Sequence, residues 1–298
     1  MISLMKIQQA ILPAIVLISA CGLEPSAFAG TTIDAVNRYA WGANLGWMDW
    51  TGGTGETATG AVIGEYVCSG YIYSANVGWI NLGSGFPADQ IQYQNNSATD
   101  FGVNQDGLGN LSGYAYGANI GWINFETNGA PKVNLLTGQL SGYAWSANCG
   151  WISLSNSMAY VQTDTIQPGA LAPDGLPIAW LLINFGTTNV NANADPDHDG
   201  MSNAQEYEAG TDPNNAASVL KITAFSFGSR GTSAALTWNS VPTRYYYLQK
   251  TTNLVTNNWA DSGLGLIPPA GSSTSDNFTD SKAPSRFYRI EAVRPLIP

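Results

Sequence analysis

In the first half of the chain, aromatic and aliphatic residues alternate with a period of two in four related segments. Tyr143 and Trp145 fall on one side of an extended strand and Ala144 on the other; after Ala147-Asn148-Cys149-Gly150, Trp151 opposes Ile152 and Leu154. Alternation interrupted by Asn and Gly, residues that tolerate left-handed turn conformations, predicts a β-hairpin. The pattern recurs in Tyr39–Trp50, Tyr71–Leu82 and Tyr114–Phe125, and its asparagines Asn44, Asn76, Asn119 and Asn148 lie 32, 43 and 29 residues apart. These spacings give a unit of about 30 residues with an insertion near Gly83–Asp100. A further strand is predicted before each hairpin, as in Val133–Leu136 ahead of Thr137-Gly138, making three short strands per unit. Residues 30–165 therefore read as a solenoid-, propeller- or barrel-like array.

Every unit has one aromatic and one aliphatic face, and the sequence leaves two arrangements open. With the aliphatic side as core, up to twelve rings line a surface able to stack on sugars. That surface includes Trp47, Trp79, Trp122, Trp151, Tyr71, Tyr114, Tyr143 and Trp145, and Asn81 and Asn124 would supply hydrogen bonds. With the rings stacked from unit to unit, the rings are the core. Area bookkeeping favours the second, because a fully buried ring removes about 150 to 250 Å² from water, roughly 4 to 6 kcal/mol, and a soluble monomer seldom exposes such a patch. The asparagines are expected to serve the turns. The motif is similar to G-Y-A-W-S-x-N-x-G-W-I repeats of exported bacterial proteins, a resemblance that implies compartment only.

Alternating runs return at the C-terminal end. Leu220–Phe227, Ala234–Asn239, Tyr245–Thr251, Thr274–Thr279 and Arg286–Val293 are rich in β-branched and aromatic residues and are separated by Gly, Pro and Asn, which predicts a β-sandwich over 219–298. Leu236-Thr-Trp238, Tyr246-Tyr-Leu-Gln249 and Phe287-Tyr-Arg-Ile290 resemble strands of fibronectin type III and related immunoglobulin-like modules.

Between these β regions the period changes. Pro177 followed by Trp180, Leu181, Leu182, Ile183 and Phe185, then Gly186, predicts a short helix able to cover the segment that follows. Ser202 and Gln205 form a capping-box pair, and Gly210 stops a second helix after about two turns. Ahead of that helix, Asp195, Asp197, Asp199, Gly200 and Glu206 occupy positions one, three, five, six and twelve of a D-x-[DN]-x-[DN]-G-x5-E loop. Carboxylates at alternate positions of a tight turn, with one more a helical turn on, can surround a hard cation, and without one they repel. The Met201 carbonyl and Asn203 complete the expected calcium ligands. The Asn-rich connector 187–194 departs from an EF-hand, whose entering helix runs directly into its loop. Residues 172–215 look more like the thrombospondin type 3-like and dockerin-like calcium modules of secreted bacterial proteins. That resemblance implies extracellular Ca²⁺ as a structural clamp, with Asp212 as an extra ligand; an unpaired loop fits the weak extracellular class, about 0.1 to 1 mM.

The N-terminus supports export. Lys6 precedes an apolar run, Ala10–Ala20, too short to span a bilayer, with Ala27 and Ala29 before Gly30, so residues 1–29 read as a signal peptide. A cut after Ala29 is favoured over a lipoprotein-type cut that would leave a lipid anchor on Cys21. No later run is long enough for a transmembrane helix.

Formal net charge is −10, and 30–220 holds two basic residues against sixteen acidic ones. Such a balance disfavours nucleic acid and anionic lipid. Cys68 and Cys149 take positions that are aliphatic in other units, so they read as core residues that an exported, closed array can also pair as a disulfide. His198 is the single histidine and sits at a non-ligand loop position, leaving histidine-based catalysis without a base. Asp34, Asp49, Glu56, Glu65, Asp89, Asp100, Asp106 and Glu126 fall at irregular positions that suggest no glycosidase pair.

The chain is thus expected to be an exported, predominantly β, calcium-stabilised extracellular or cell-surface protein, without catalysis, acting in adhesion or structure. Its expected partner is a surface polysaccharide or another surface protein. A carbohydrate-binding protein using the repeat aromatics is the second reading, and a glycan hydrolase the third.

Overall fold

The structure, a computed structural model, describes residues 30–297 apart from 54–59, 230, 257, 281–284 and the side chain of Thr127. The signal peptide read over 1–29, the anchor position Cys21 and Glu56 lie outside the described residues. The chain is mainly β, and its described residues divide into two compact units: 30–194 together with 295–297, and 195–294.

The first unit is a closed barrel. Its strands include β1 (Ile33–Gly42), β2 (Gly46–Asp49), β3 (Ser69–Ser74), β4 (Gly78–Ser84), β5 (Val103–Gln105), β6 (Leu111–Gly117), β7 (Gly121–Asn124), β8 (Lys132–Val133), β9 (Leu140–Ser141), β10 (Tyr143–Ser146), β11 (Gly150–Ser153) and β12 (Val161–Thr163). Hairpins β1–β2, β3–β4, β6–β7 and β10–β11 pair side by side, and β11 returns to β1 through Trp41↔Ser153 and Gly42↔Ile152, so eight antiparallel strands leave no free edge. In each hairpin a three-residue turn closes on a left-handed glycine: Gly46, Gly78, Gly121 and Gly150 have φ of 72°, 79°, 73° and 81°. None of the four asparagines adopts positive φ; their contribution is through the side chain.

Alternation sends the aliphatic face inward. Ala40, Ile72, Ala115 and Ala144 meet Met48, Ile80, Ile123 and Ile152, with Trp50, Leu82, Phe125 and Leu154 in the next layer, all buried. The interior is filled, with a residual void of about 10 Å³. This overturns the expectation that the rings form the core. An eight-stranded barrel has an interior just wide enough for side chains to fill, and aliphatic groups with Trp50 and Phe125 already fill it, leaving no room for three further rings per unit. Trp50 alone takes a Trp inward, meeting Phe125 edge-on at 6.5 Å.

Of the short strands predicted before each hairpin, the described residues show β5, which pairs with β6, and β8, which pairs with β9. The strand read as Val133–Leu136 is only Lys132–Val133, because the chain turns directly after it, and no named strand precedes β1 or lies between β2 and β3 among the described residues. Around them Ile63, Cys68, Val103, Leu111, Val133, Leu140, Val161 and Ile166 extend the same core. In the insertion, the buried Tyr93 ring lies between Gly83 and Gly102, where a Cβ would come within 2.6 and 2.2 Å of it; its hydroxyl donates to the Cys68 carbonyl at 3.1 Å. Cys68 and Cys149 are both buried free thiols, in line with their reading as core residues and not with the alternative disulfide. Each fills an aliphatic position, and burial pushes the Cys68 thiol up to about 12. Helix α1 (Ile178–Phe185) belongs to this unit and ends at left-handed Gly186, as the sequence predicts.

The second unit contains α2 (Asn203–Ala209) and strands β13 (Ile222–Phe227), β14 (Ser233–Asn239), β15 (Tyr245–Thr251), β16 (Ala260–Asp261), β17 (Ser273–Thr279) and β18 (Phe287–Val293). The strands form two three-stranded sheets, β13-β14-β17 and β16-β15-β18. Both contribute to one core that includes Leu236, Trp238, Tyr246, Leu248, Phe278 and Ile290. Met201 and Ala209 join that core. Arg244 Nε donates to the Glu208 carbonyl at 2.8 Å and Arg294 Nε pairs with the Glu208 carboxylate at 3.1 Å, so α2 is anchored to the sheets.

Candidate functional site

The acidic loop is built by its own backbone. Gly200 N donates to Asp195 Oδ2 at 3.0 Å, Asp199 N to Asp197 Oδ1 at 3.2 Å and Met201 N to Asp199 Oδ1 at 2.8 Å, while His198 and Gly200 take φ of 63° and 96°. These bonds turn the three aspartates toward one point, and ligand oxygens of Asp195, Asp197 and Asp199 lie within 4.8 Å of one another.

Helix α2 delivers the fourth carboxylate. Ser202 and Gln205 form the predicted capping box, and Gly210 closes the helix in the left-handed conformation. Glu206 is completely buried. Burial first, then the charges of Asp197 and Asp199, raise its pKa to about 8, and burial raises that of Asp199.

Asp195 Oδ1, Asp197 Oδ2, Asp199 Oδ2 and Glu206 Oε2 are buried without a hydrogen-bond donor. The three aspartates converge and Glu206 feels the charges of all three. Buried carboxylate oxygens without donors are costly unless a cation satisfies them, and oxygen ligands of this kind suit a hard divalent ion. Met201 and Asn203, at positions seven and nine, are buried. Asp212 lies apart from the three-carboxylate group: it is exposed, and its Oδ1 accepts from Asn214 N at 3.0 Å. Thr211, not singled out in the sequence, donates its hydroxyl to Glu206 Oε1 at 3.3 Å.

The second candidate is the outer face of the barrel. Trp47, Trp79, Trp122, Trp151, Tyr71, Tyr143 and Trp145 are 41–48% exposed, and Tyr114 is half-buried. Trp41, Tyr73 and Tyr116 occupy the position of Trp145 in their hairpins and are exposed in the same way; alignment of the repeats was the signal for them. In three hairpins a central Trp is flanked by two rings. The centroid distances are 6.1 and 5.1 Å around Trp79, 6.1 and 4.9 Å around Trp122, and 6.1 and 4.8 Å around Trp151. Contacts of this kind hold the rings at defined angles to one another.

Asn81 Oδ1 accepts from Gly83 N at 2.8 Å and Asn124 Oδ1 from Glu126 N, so both carbonyl oxygens are used in local turns. Asp34, Asp89, Asp100 and Asp106 likewise accept backbone N–H groups of turns, and Asp49 faces Arg38 at 3.7 Å.

No family model, curated protein or solved structure matches this chain.

Proposed function

We propose that this is an exported, calcium-stabilised extracellular or cell-surface protein whose barrel adheres to polysaccharide through its outer rings. The observation that carries the reading is the repetition of outward, half-exposed aromatic groups on all four hairpins. Contiguous exposed aromatic surface is seldom kept on a soluble protein without a partner, and half-exposed rings held at defined angles suit the C–H faces of sugars. A surface protein is the alternative partner. The acidic balance of the barrel argues against nucleic acid.

In the same reading the acidic loop holds structural Ca²⁺ through the side chains of Asp195, Asp197, Asp199 and Glu206, with the Met201 carbonyl and Asn203 completing the set; Asp212 is left out. The ion would neutralise the four carboxylates and stabilise the core that Met201 and Ala209 enter. The loop sequence keeps its resemblance to thrombospondin type 3-like modules, and two sheets sharing one core support reading the C-terminal strands as a β-sandwich of the fibronectin type III-like kind. The protein binds without catalysing.

Affinity electrophoresis of the purified chain in gels containing neutral polysaccharides tests the adhesive role. Retardation that weakens when Trp79 and Trp122 are both changed to Ala supports it; migration identical in all gels refutes it.

A further inference from the structure

The four junctions between neighbouring hairpins repeat one chemical pairing. A short polar residue in the second strand of one hairpin stands directly across from an outward ring of the next: Asp49↔Tyr73, Asn81↔Tyr116, Asn124↔Trp145 and Ser153↔Trp41. The surroundings then make the junctions unequal. At the first, Asp49 is engaged by Arg38 at 3.7 Å, and a Cβ on Gly53 would sit 3.4 Å from the Tyr73 ring, so backbone lies against that ring. At the second, Phe101 packs on Tyr116 and Trp122 at 6.3 and 5.1 Å. At the fourth, Ser153 Oγ donates to the Ser155 carbonyl at 2.7 Å.

The third junction is open. Asn124, Glu126, Asn128, Trp145 and Trp151 line a cleft of about 230 Å³. Trp145 and Trp151 meet at 4.8 Å and 60° and give it two non-parallel aromatic walls. The polar side is placed by a single helical turn, Thr127–Gly129, seated tightly on the fourth hairpin: a Cβ on Gly129 would come within 1.9 Å of the Tyr143 carbonyl oxygen. Because Asn124 Oδ1 accepts from Glu126 N, its amide nitrogen remains as a donor beside the rings.

We infer that this cleft binds one neutral pyranose residue of a glycan, an inference that rests on the adhesive reading of the outer rings. The cleft is below the roughly 300 Å³ at which drug-sized pockets begin, which suits a single sugar ring. Aromatic walls accept the apolar C–H face of a pyranose, while two amides and a carboxylate offer donors and acceptors to its hydroxyls. Glu126 and the net charge of −10 repel uronates and other acidic sugars.

The test uses the full mature chain on an array of neutral, N-acetylated and uronic-acid oligosaccharides, followed by calorimetric titration of the best neutral ligand. Trp145→Ala, Trp151→Ala and Asn128→Ala are each expected to weaken binding by about tenfold or more, as for a central contact. Trp79→Ala, elsewhere on the same outer-ring surface, is expected to weaken this titration distinctly less than Trp151→Ala. All four side chains are exposed, and an unaltered melting temperature certifies the fold of each variant. Equal losses from Trp79→Ala and Trp151→Ala, or binding confined to uronic-acid glycans, overturn the cleft while leaving the adhesive surface intact. Absence of binding to every glycan at millimolar concentration overturns both.

Discussion

Asn44 of the first hairpin donates its side-chain amide to the carbonyl of Cys149 in the last, at 3.1 Å. Asn76 reaches Leu45, Asn119 reaches Val77 and Asn148 reaches Ile120 in the same way, at 3.0, 3.0 and 2.9 Å. Each signature asparagine thus ties its hairpin to the one before it, and Asn44 closes the ring.

Removing the closing bond tests that role. Asn44→Ala is expected to lower barrel stability by about 1 kcal/mol, the net worth of one hydrogen bond. Asn148→Ala should cost a similar amount, as read from the midpoint of urea unfolding. No change in either variant would show that the asparagines are only turn residues.

The position of the rings has a direct stability consequence. Trp50→Ala empties a core site and is expected to cost about 3 to 5 kcal/mol, whereas Trp79→Ala on the outer face should cost about 1 kcal/mol or less. Parallel denaturation curves decide it, and a reversed order would put the rings back in the core.

Calcium should raise the melting temperature of the second unit. At a free concentration tenfold above Kd the stabilisation is about 1.4 kcal/mol, removed by EDTA. Glu206→Gln should abolish the calcium-dependent shift while Asp212→Asn retains most of it; calorimetry on the two variants separates ligand from bystander.

The metal-free protein should also respond to pH. Glu206 titrates near 8 when folded, against an ordinary value of 4.5. Between these values the folded chain binds more protons than the unfolded one, so stability is highest at low pH within this window and falls as pH rises toward 8. Asp199 is shifted in the same direction. Saturating calcium should flatten the slope between pH 5 and 8. Urea unfolding across that range, with and without the ion, gives the comparison; a metal-free stability that climbs with pH would contradict the packing around Glu206.

Much of the local structure was written in the sequence. Capping by Ser202 and Gln205, the stop at Gly210, the left-handed glycine of each hairpin and the five long C-terminal strands all follow from short-range geometry. The short strands Val161–Thr163 and Ala260–Asp261 escaped notice, because two or three residues show no period. Glu126 and Asn128 were missed as partners of Trp145 for another reason: a helical turn brings them to a neighbouring hairpin, and no spacing in the chain encodes that meeting.

The sequence by itself determined that each repeat has an aromatic and an aliphatic face, and that Asp195, Asp197 and Asp199 share one turn, since both follow from a period of two along the backbone. Which face turns inward was decided only by closure. Eight strands enclose a fixed, narrow volume, aliphatic side chains with Trp50 and Phe125 fill it to a void of about 10 Å³, and the remaining rings of the hairpins are left outside, where they are available to a partner.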